Sequence, residues 1–433
     1  MRTISSGVKG LDEVLGGGFF RPSVVLIAGG VGTGKTTLAL QILFNAARTG
    51  RKCLFIASIS EPITAINRFL SSFSFFDPDL ETIHFADAGE AFMAKEDVFS
   101  FIKENIDLIK PEIVVIDSFL SITENKEDLL SLFSYIKRRN ILLLLTEVFT
   151  EENLNEHYIA SVVDGVIFLY AERGRRNLAV LKMRGSAIST KKHAFKFTSE
   201  GIEVFPKLSI TETKVSERRV SIGVKGIEHA LGDGGSVLEG SIILVTGEAG
   251  TGKTLFGFHF IQAGIEKGEK GLIISLNEDK PTLERNARHF GFDFTEDKGL
   301  LKILCVPLID LIPDEHLIKI KEEFEGVKRV VVDGFPHYIH AFDNENEYKI
   351  FMRTLISLCR SEGITSIFIG DTALGERYPA DIAHLADGII ILSSEEEMGV
   401  KRRFIEVVKM RGSAHTIGKK LCDITPNGLE ISP

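Results

Sequence analysis

Only four cysteines occur in 433 residues, and Cys53, Cys305, Cys359 and Cys422 are scattered along the chain. No pair has metal-ligand spacing and no disulfide framework is suggested, so a reducing, cytoplasmic setting is expected. Basic charge is also short. The 51 Lys and Arg fall below the 60 Asp and Glu and leave a net charge of −9. That balance argues against a protein wrapped in nucleic acid, although a local basic loop can still touch phosphates. Long apolar runs are missing too. Stretches such as Ile141 to Leu145 are far too short to span a bilayer, read as buried strands, and imply no membrane partner. The opening MRTISSGVKG has no apolar stretch after Arg2, so no signal peptide is expected.

What is present is an ordered duplication. GVKGLDEVLGGG from Gly7 recurs as GVKGIEHALGDGG from Gly223, and GGVGTGKTTL from Gly29 recurs as GEAGTGKTLF from Gly247. IVVIDSF at Ile113 returns as VVVDGF at Val330, and LKMRGSA at Leu181 as VKMRGSA at Val408. Lys35 and Lys253 are 218 residues apart, Asp117 and Asp333 are 216, and Lys182 and Lys409 are 227. A period this long means two whole domains rather than a solenoid, and the length agrees. The expected boundaries are residues 1–206 for the first domain, a polar linker at 207–219, and 220–433 for the second.

Within each half, apolar runs alternate with segments of helical spacing. SVVLIAGG, CLFIAS, EIVVID and ILLLLTE read as strands; TTLALQILFNAARTG, PITAINRFL and DLLSLFSYIKRR read as helices. Strands apolar throughout and separated by helices predict an α/β fold, a mostly parallel sheet covered on both faces. GVIFLYAERGRRNLAVLKMRG predicts an antiparallel hairpin that extends the sheet.

Both halves satisfy G-x-x-x-x-G-K-[ST], each time after an apolar strand and before a helix. Such a loop aims backbone N–H groups at phosphate oxygens, and the helix adds the positive end of its dipole. The expected nucleotide-binding residues are Gly29, Gly30, Gly32, Thr33, Gly34, Lys35, Thr36 and Thr37. Their counterparts are Gly247, Ala249, Gly250, Thr251, Gly252, Lys253, Thr254 and Leu255. Lys35 and Lys253 would neutralise the β- and γ-phosphates of ATP, and Thr36 and Thr254 would ligate Mg2+. Asp117 and Asp333 end apolar strands, where a carboxylate would hold Mg2+ through water.

With these motifs in order, the chain resembles the KaiC-like branch of RecA-type ATPases over nearly its whole length, in the duplicated, clock-type form. The KMRGS element after a charged hairpin, found twice, is the specific sign. The resemblance implies two tandem RecA-like domains and a homohexameric ring with ATP between neighbours. It also implies that Lys182, Arg184, Lys409 and Arg411 act on a neighbour's γ-phosphate. Residues i and i+2 of a strand point the same way, so each pair would serve one phosphate.

The pattern departs from the family at the catalytic base. Members often carry two adjacent glutamates after the second strand, but Ser60 and Asn277 stand in the first position, leaving Glu61 and Glu278. Two readings remain: a base that polarises water, or residues capping the following helix. Hydrolysis is therefore expected to be slow. A second departure is Ala383-His384, where clock-type autokinases carry a Ser-Thr pair. Autophosphorylation there would need another hydroxyl, such as Thr372 or Ser366.

Arg173, Arg175 and Arg176 in one hairpin turn, and Lys401, Arg402 and Arg403 in the other, read as solvated turns or surfaces for a regulatory partner. Phe69, Phe73, Phe75 and Phe76 read as core. The favoured function is a regulatory, magnesium-dependent ATPase. The rivals are a RadA-type DNA recombination ATPase, a self-phosphorylating kinase, and a nucleotide-binding scaffold without turnover.

Overall fold

Every residue of Ser23–Gly29 (β1) is buried, the condition of a strand covered on both faces. In the computed structural model the described residues are 3–59, 63–95, 97–122, 125–172, 174–210, 215–294, 299–308, 311–372, 380–397 and 400–433. They divide into two compact units, residues 1–207 and 208–433.

In the first unit, β1 is followed by α1 (Lys35–Arg48), β2 (Cys53–Ala57), α2 (Ile63–Leu70), β3 (Ile83–Asp87), α3 (Val98–Ile109) and β4 (Ile113–Ile116). Next come α4 (Lys126–Arg138), β5 (Leu142–Val148), β6 (Gly165–Glu172), β7 (Arg175–Met183), β8 (Lys192–Thr198) and β9 (Gly201–Phe205). The sheet order is β9-β8-β7-β6-β1-β5-β4-β2-β3. From β6 to β3 every pairing is parallel; β6 to β9 are antiparallel.

The second unit repeats this plan. Its elements are β10 (Ile242–Gly247), α5 (Lys253–Ile265), β11 (Lys270–Ser275), α6 (Lys280–His289), β12 (Leu301–Cys305), α7 (Pro313–Glu323) and β13 (Val327–Asp333). They continue with α8 (Glu345–Glu362), β14 (Thr365–Asp371), β15 (Gly388–Glu397), β16 (Val400–Met410), β17 (Lys419–Thr425) and β18 (Gly428–Ile431). The sheet order, β12-β11-β13-β14-β10-β15-β16-β17-β18, is the same path.

Strand periodicity splits the first core in two. Val25, Ile27, Phe55, Val115 and Leu144 face α1 and pack with Leu38, Leu40 and Phe44. Val24, Leu26, Leu54, Val114 and Leu143 face the other way, onto Ile102 and Ile106 of α3 and Leu129, Leu132 and Ile136 of α4. Each such fully buried side chain contributes about 1.5–3 kcal/mol of transfer free energy. The phenylalanine run also packs inward: Phe75 is buried, Phe73 and Phe76 pack against the core, and Phe69 is partly exposed with its ring edge on Phe73.

The predicted hairpin, β6–β7, is continued by a second one, β8–β9. The alternating segments KHAFKFT and GIEVF around Ser199-Glu200 carried that signal. β3 also lies beyond the predicted strands. In the polar stretch 207–219, Leu208 and Ile210 pack against the second unit's core, and Arg219 opens a short strand, Arg219–Ser221.

Candidate functional site

In each unit the order of strands reverses at the first strand, β1 or β10, and the glycine-rich loop leaves its carboxyl end. Ligands of open α/β sheets bind at such a switch point. Only glycine fits where the loop begins. A Cβ on Gly29 (φ 156°) would lie 2.1 Å from the Leu169 carbonyl oxygen, and one on Gly247 (φ 149°) 1.9 Å from that of Leu392.

Further along the first loop, Thr33 Oγ1 donates to the Gly30 carbonyl at 2.9 Å, and so does Lys35 Nζ at 2.7 Å. In the second, Thr251 Oγ1 and Lys253 Nζ donate to the Glu248 carbonyl at 2.8 and 2.6 Å. Gly34 and Gly252 cap the following helices in the left-handed conformation, leaving the first N–H groups of α1 and α5 turned to the loop. Gly32 and Gly250 have φ of 70° and 76°. Thr37 and Leu255 are buried in the helices. Burial lowers the Lys35 pKa, opposed by the charges of Asp117 and Glu147.

The strand-end carboxylates meet the helix threonines. Thr36 Oγ1 donates to Asp117 Oδ1 at 2.9 Å, and Thr146 Oγ1 to the same oxygen at 2.5 Å. Asp117 Oδ2 is buried with no hydrogen-bond partner among the described residues. A buried orphan acceptor beside a threonine hydroxyl is what a hydrated Mg2+ requires, so the residues present fit that ion. In the second unit Thr254 Oγ1 donates to Asp333 Oδ2 at 2.8 Å. Burial pushes the Asp333 carboxyl up to about 6, with the Glu278 and Asp371 charges adding to the rise.

Glu278 follows β11. Its carboxylate oxygens accept from Asn286 Nδ2 at 3.1 and 3.2 Å, and its backbone is pinned by Ser275 Oγ. It does not cap α6: Asp279 does, accepting from the Thr282 N–H at 2.9 Å. Ser60, Glu61 and Pro62 lie outside the described residues.

The KMRGS residues sit elsewhere. A one-residue bulge at Leu181 re-aims β7, since Ile167 pairs with Val180 and Val166 with Lys182; Val408 is the counterpart in β16. Lys182 Nζ donates to the carbonyls of Ala160 and Ser161 at 3.1 and 3.2 Å, and Lys409 Nζ to those of Ala383 and Ala386 at 3.3 and 2.5 Å. Burial lowers both lysine pKa values, and Arg184 and Arg411 lower them further. Arg184 contacts Asp164, whose backbone pairs with Val24 at the start of β1. Val24 lies five residues before Gly29, roughly 17 Å away at strand rise. Arg184 and its own glycine-rich loop therefore stand at opposite ends of one sheet, and Arg411 and Ile242 repeat the arrangement.

Three groups at the site escaped the sequence reading. Glu147, at the end of β5, accepts from the Leu120 N–H at 2.7 Å and bears on the Lys35 charge. Asp371, at the end of β14, forms an ion pair with Lys253. The polar residues closing ILLLLTE and SIFIGD were the available signal. Arg176, read as part of a solvated or partner-facing turn, folds back on its own loop. Its Nη1 donates to the Gly32 carbonyl at 3.0 Å, and its guanidinium lies 4.8 Å from the Phe197 ring centroid. Arg173 lies outside the described residues.

The family model described as "ATPase: KaiC" matches residues 4–209 and again 220–433. Among curated relatives, the circadian clock oscillator protein KaiC of Rippkaea orientalis (strain PCC 8801 / RF-1) is 30% identical over 475 residues, covering 100% of this chain and 89% of the relative. The protein of that name from Nostoc sp. (strain PCC 7120 / SAG 25.82 / UTEX 2576) is 30% identical, covering 99% and 88%. No described helix is long and apolar enough to cross a membrane.

Proposed function

The chain belongs to the KaiC family of ATPases, with the family domain present twice, and from that premise we propose that it binds Mg·ATP at both glycine-rich loops and hydrolyses it slowly at the interfaces of a homohexameric ring. The observation that carries this reading is the separation of each KMRGS element from its own loop. An element anchored at Val24, roughly 17 Å of strand from Gly29, is placed to serve a phosphate outside its own unit.

In this reading the loop N–H groups and Lys35 or Lys253 grip the β- and γ-phosphates. Thr36 with Asp117, and Thr254 with Asp333, hold Mg2+, which neutralises charge on the phosphate oxygens. Lys182 and Arg184, or Lys409 and Arg411, enter from the neighbour and stabilise charge on the γ-oxygens as the bond to the β-phosphate breaks. Glu278, held by Asn286, orients the attacking water in the second site, and Glu61 takes that part in the first. Hydrolysis is slow because Ser60 and Asn277 stand where relatives often carry a further glutamate. Arg176 neighbours the nucleotide of its own unit.

The autokinase alternative is not favoured. Ala383 has no side-chain hydroxyl, and the Ser366 hydroxyl is fully buried in β14. Native mass spectrometry with and without Mg·ATP, paired with phosphate release, tests the proposal. Six chains holding two nucleotides each, with slow release, are expected. A strict monomer that retains ATP would remove the trans role of the KMRGS residues.

A further inference from the structure

One carboxylate recurs beneath both KMRGS elements, in the Asp-Gly pairs Asp164-Gly165 and Asp387-Gly388 that open β6 and β15. One main-chain bond and one side-chain bond tie each to the first strand of its unit. The Asp164 N–H donates to the Val24 carbonyl at 2.8 Å, and the Val24 N–H donates to Asp164 Oδ2 at 3.0 Å. For Asp387 and Ile242 the same two distances are 2.7 and 3.0 Å. The finger residue is attached twice. The Arg184 N–H donates to the Asp164 carbonyl at 2.8 Å, and Arg184 Nη1 reaches Asp164 Oδ1 at 3.2 Å. The matching Arg411 distances to Asp387 are 2.8 and 3.5 Å.

A second cation faces each carboxylate from the equivalent helix, and it differs between the units. Lys137 Nζ of α4 lies 2.8 Å from Asp164 Oδ2, and Arg360 Nη2 of α8 lies 3.0 Å from Asp387 Oδ2. The helix residue changes while the carboxylate and the finger contact stay. A strand anchor accounts for the Oδ2 bond to the first strand but not for the Oδ1 contact to the arginine.

We propose that Asp164 and Asp387 are positioning residues that hold Arg184 and Arg411 in the orientation needed to meet a phosphate on a neighbouring copy. The inference rests on the trans reading of those arginines. The contact has the right strength for the task. The carboxylates are 13% and 20% exposed, but the arginines are 57% and 58% exposed and are held through a single nitrogen. An exposed, monodentate pair is weak, so it biases the rotamer and leaves the remaining N–H donors for a doubly charged phosphate.

The test uses the full chain in a Lys253→Ala background, so that turnover reports the first site. Asp164→Asn keeps an acceptor for the Val24 N–H and removes the charge. The expected result is a kcat lowered by up to about fivefold, with the KM for ATP unchanged, since orientation in the transition state is what is lost. Combined with Arg184→Ala, it should lower kcat no further than Arg184→Ala does by itself. Asp387→Asn in a Lys35→Ala background repeats the measurement on the second copy and decides the matter if Asp164→Asn does not fold. Parental kcat in the Asp→Asn variants while Arg→Ala is impaired overturns the positioning role alone, as do losses that multiply in the double variants. Parental kcat in Arg→Ala, or a parent without turnover, fails the trans or hydrolysis reading itself and removes this inference with it.

Discussion

Lys253 Nζ lies 2.6 Å from Asp371 Oδ1, whereas Val148 occupies the register position of Asp371 in the first unit. The two glycine-rich loops are therefore not electrostatically equal. On the proposed reading, a phosphate entering the second loop displaces a carboxylate from Lys253. Asp371→Ala should tighten ATP binding at the second site by up to about fivefold, the limit for a pair whose carboxylate is more than half exposed. Titration in a Lys35→Ala background checks this. Unchanged affinity would mean that the bridge opens without cost.

Each lysine should control only its own site. Lys35→Ala and Lys253→Ala are each expected to reduce the nucleotide count from two per chain to one, with the lost site weakened about 100-fold, or about 2.7 kcal/mol. Calorimetric stoichiometry reads the result directly.

The unpartnered Asp117 Oδ2 gives a metal-specific prediction. Asp117→Asn retains an acceptor for Thr36 and Thr146 but loses the charge beside Mg2+. Removing Mg2+ with a chelator should weaken ATP binding at the first site of the parent and have little further effect in the variant. A variant that still responds fully to chelation would move the metal to other ligands.

Two buried histidines and the half-buried His259 set an acid limit on stability. His193, His259 and His316 are each lowered to about 4, first by desolvation. In the unfolded chain each returns to about 6.5. Between these values the unfolded state binds more protons. Stability is therefore complete above about pH 6.5 and falls as pH drops towards 4, by up to about 1.4 kcal/mol per pH unit for each histidine. His316 lies against Tyr338 with Nε2 2.6 Å from the hydroxyl. His316→Gln should flatten the decline of the urea midpoint between pH 6.5 and 4.5; an unaltered slope would count against its contribution.

The first loop glycine is a structural requirement. Gly29→Ala forces a Cβ to 2.1 Å from the Leu169 carbonyl oxygen, which is backbone and does not yield cheaply. A loss of about 2 kcal/mol or more is expected, seen as a fall of about 4–8 °C in the first unit's melting temperature.

Much of this protein was legible in one dimension because its signals are local. An apolar run, a glycine-rich turn and a helix are adjacent in the chain, so β1, the loop and α1 follow from spacing, and their repetition removes ambiguity. Strand-end Asp117 and Asp333 were readable for the same reason. Asp279 rather than Glu278 proved to be the cap of α6, a choice between neighbours that depends on the φ and ψ of one turn. Glu147, Asp371 and Arg176 were missed because their relation to the loop is made by strands distant in sequence: β5 or β14 beside the first strand, and a hairpin that brings Arg176 over Gly32. Order along the chain therefore sufficed for the duplicated α/β units and the phosphate loops. Sheet order alone decided that each KMRGS element stands at the opposite end of the sheet from its own loop, because strand pairing converts separation in sequence into distance.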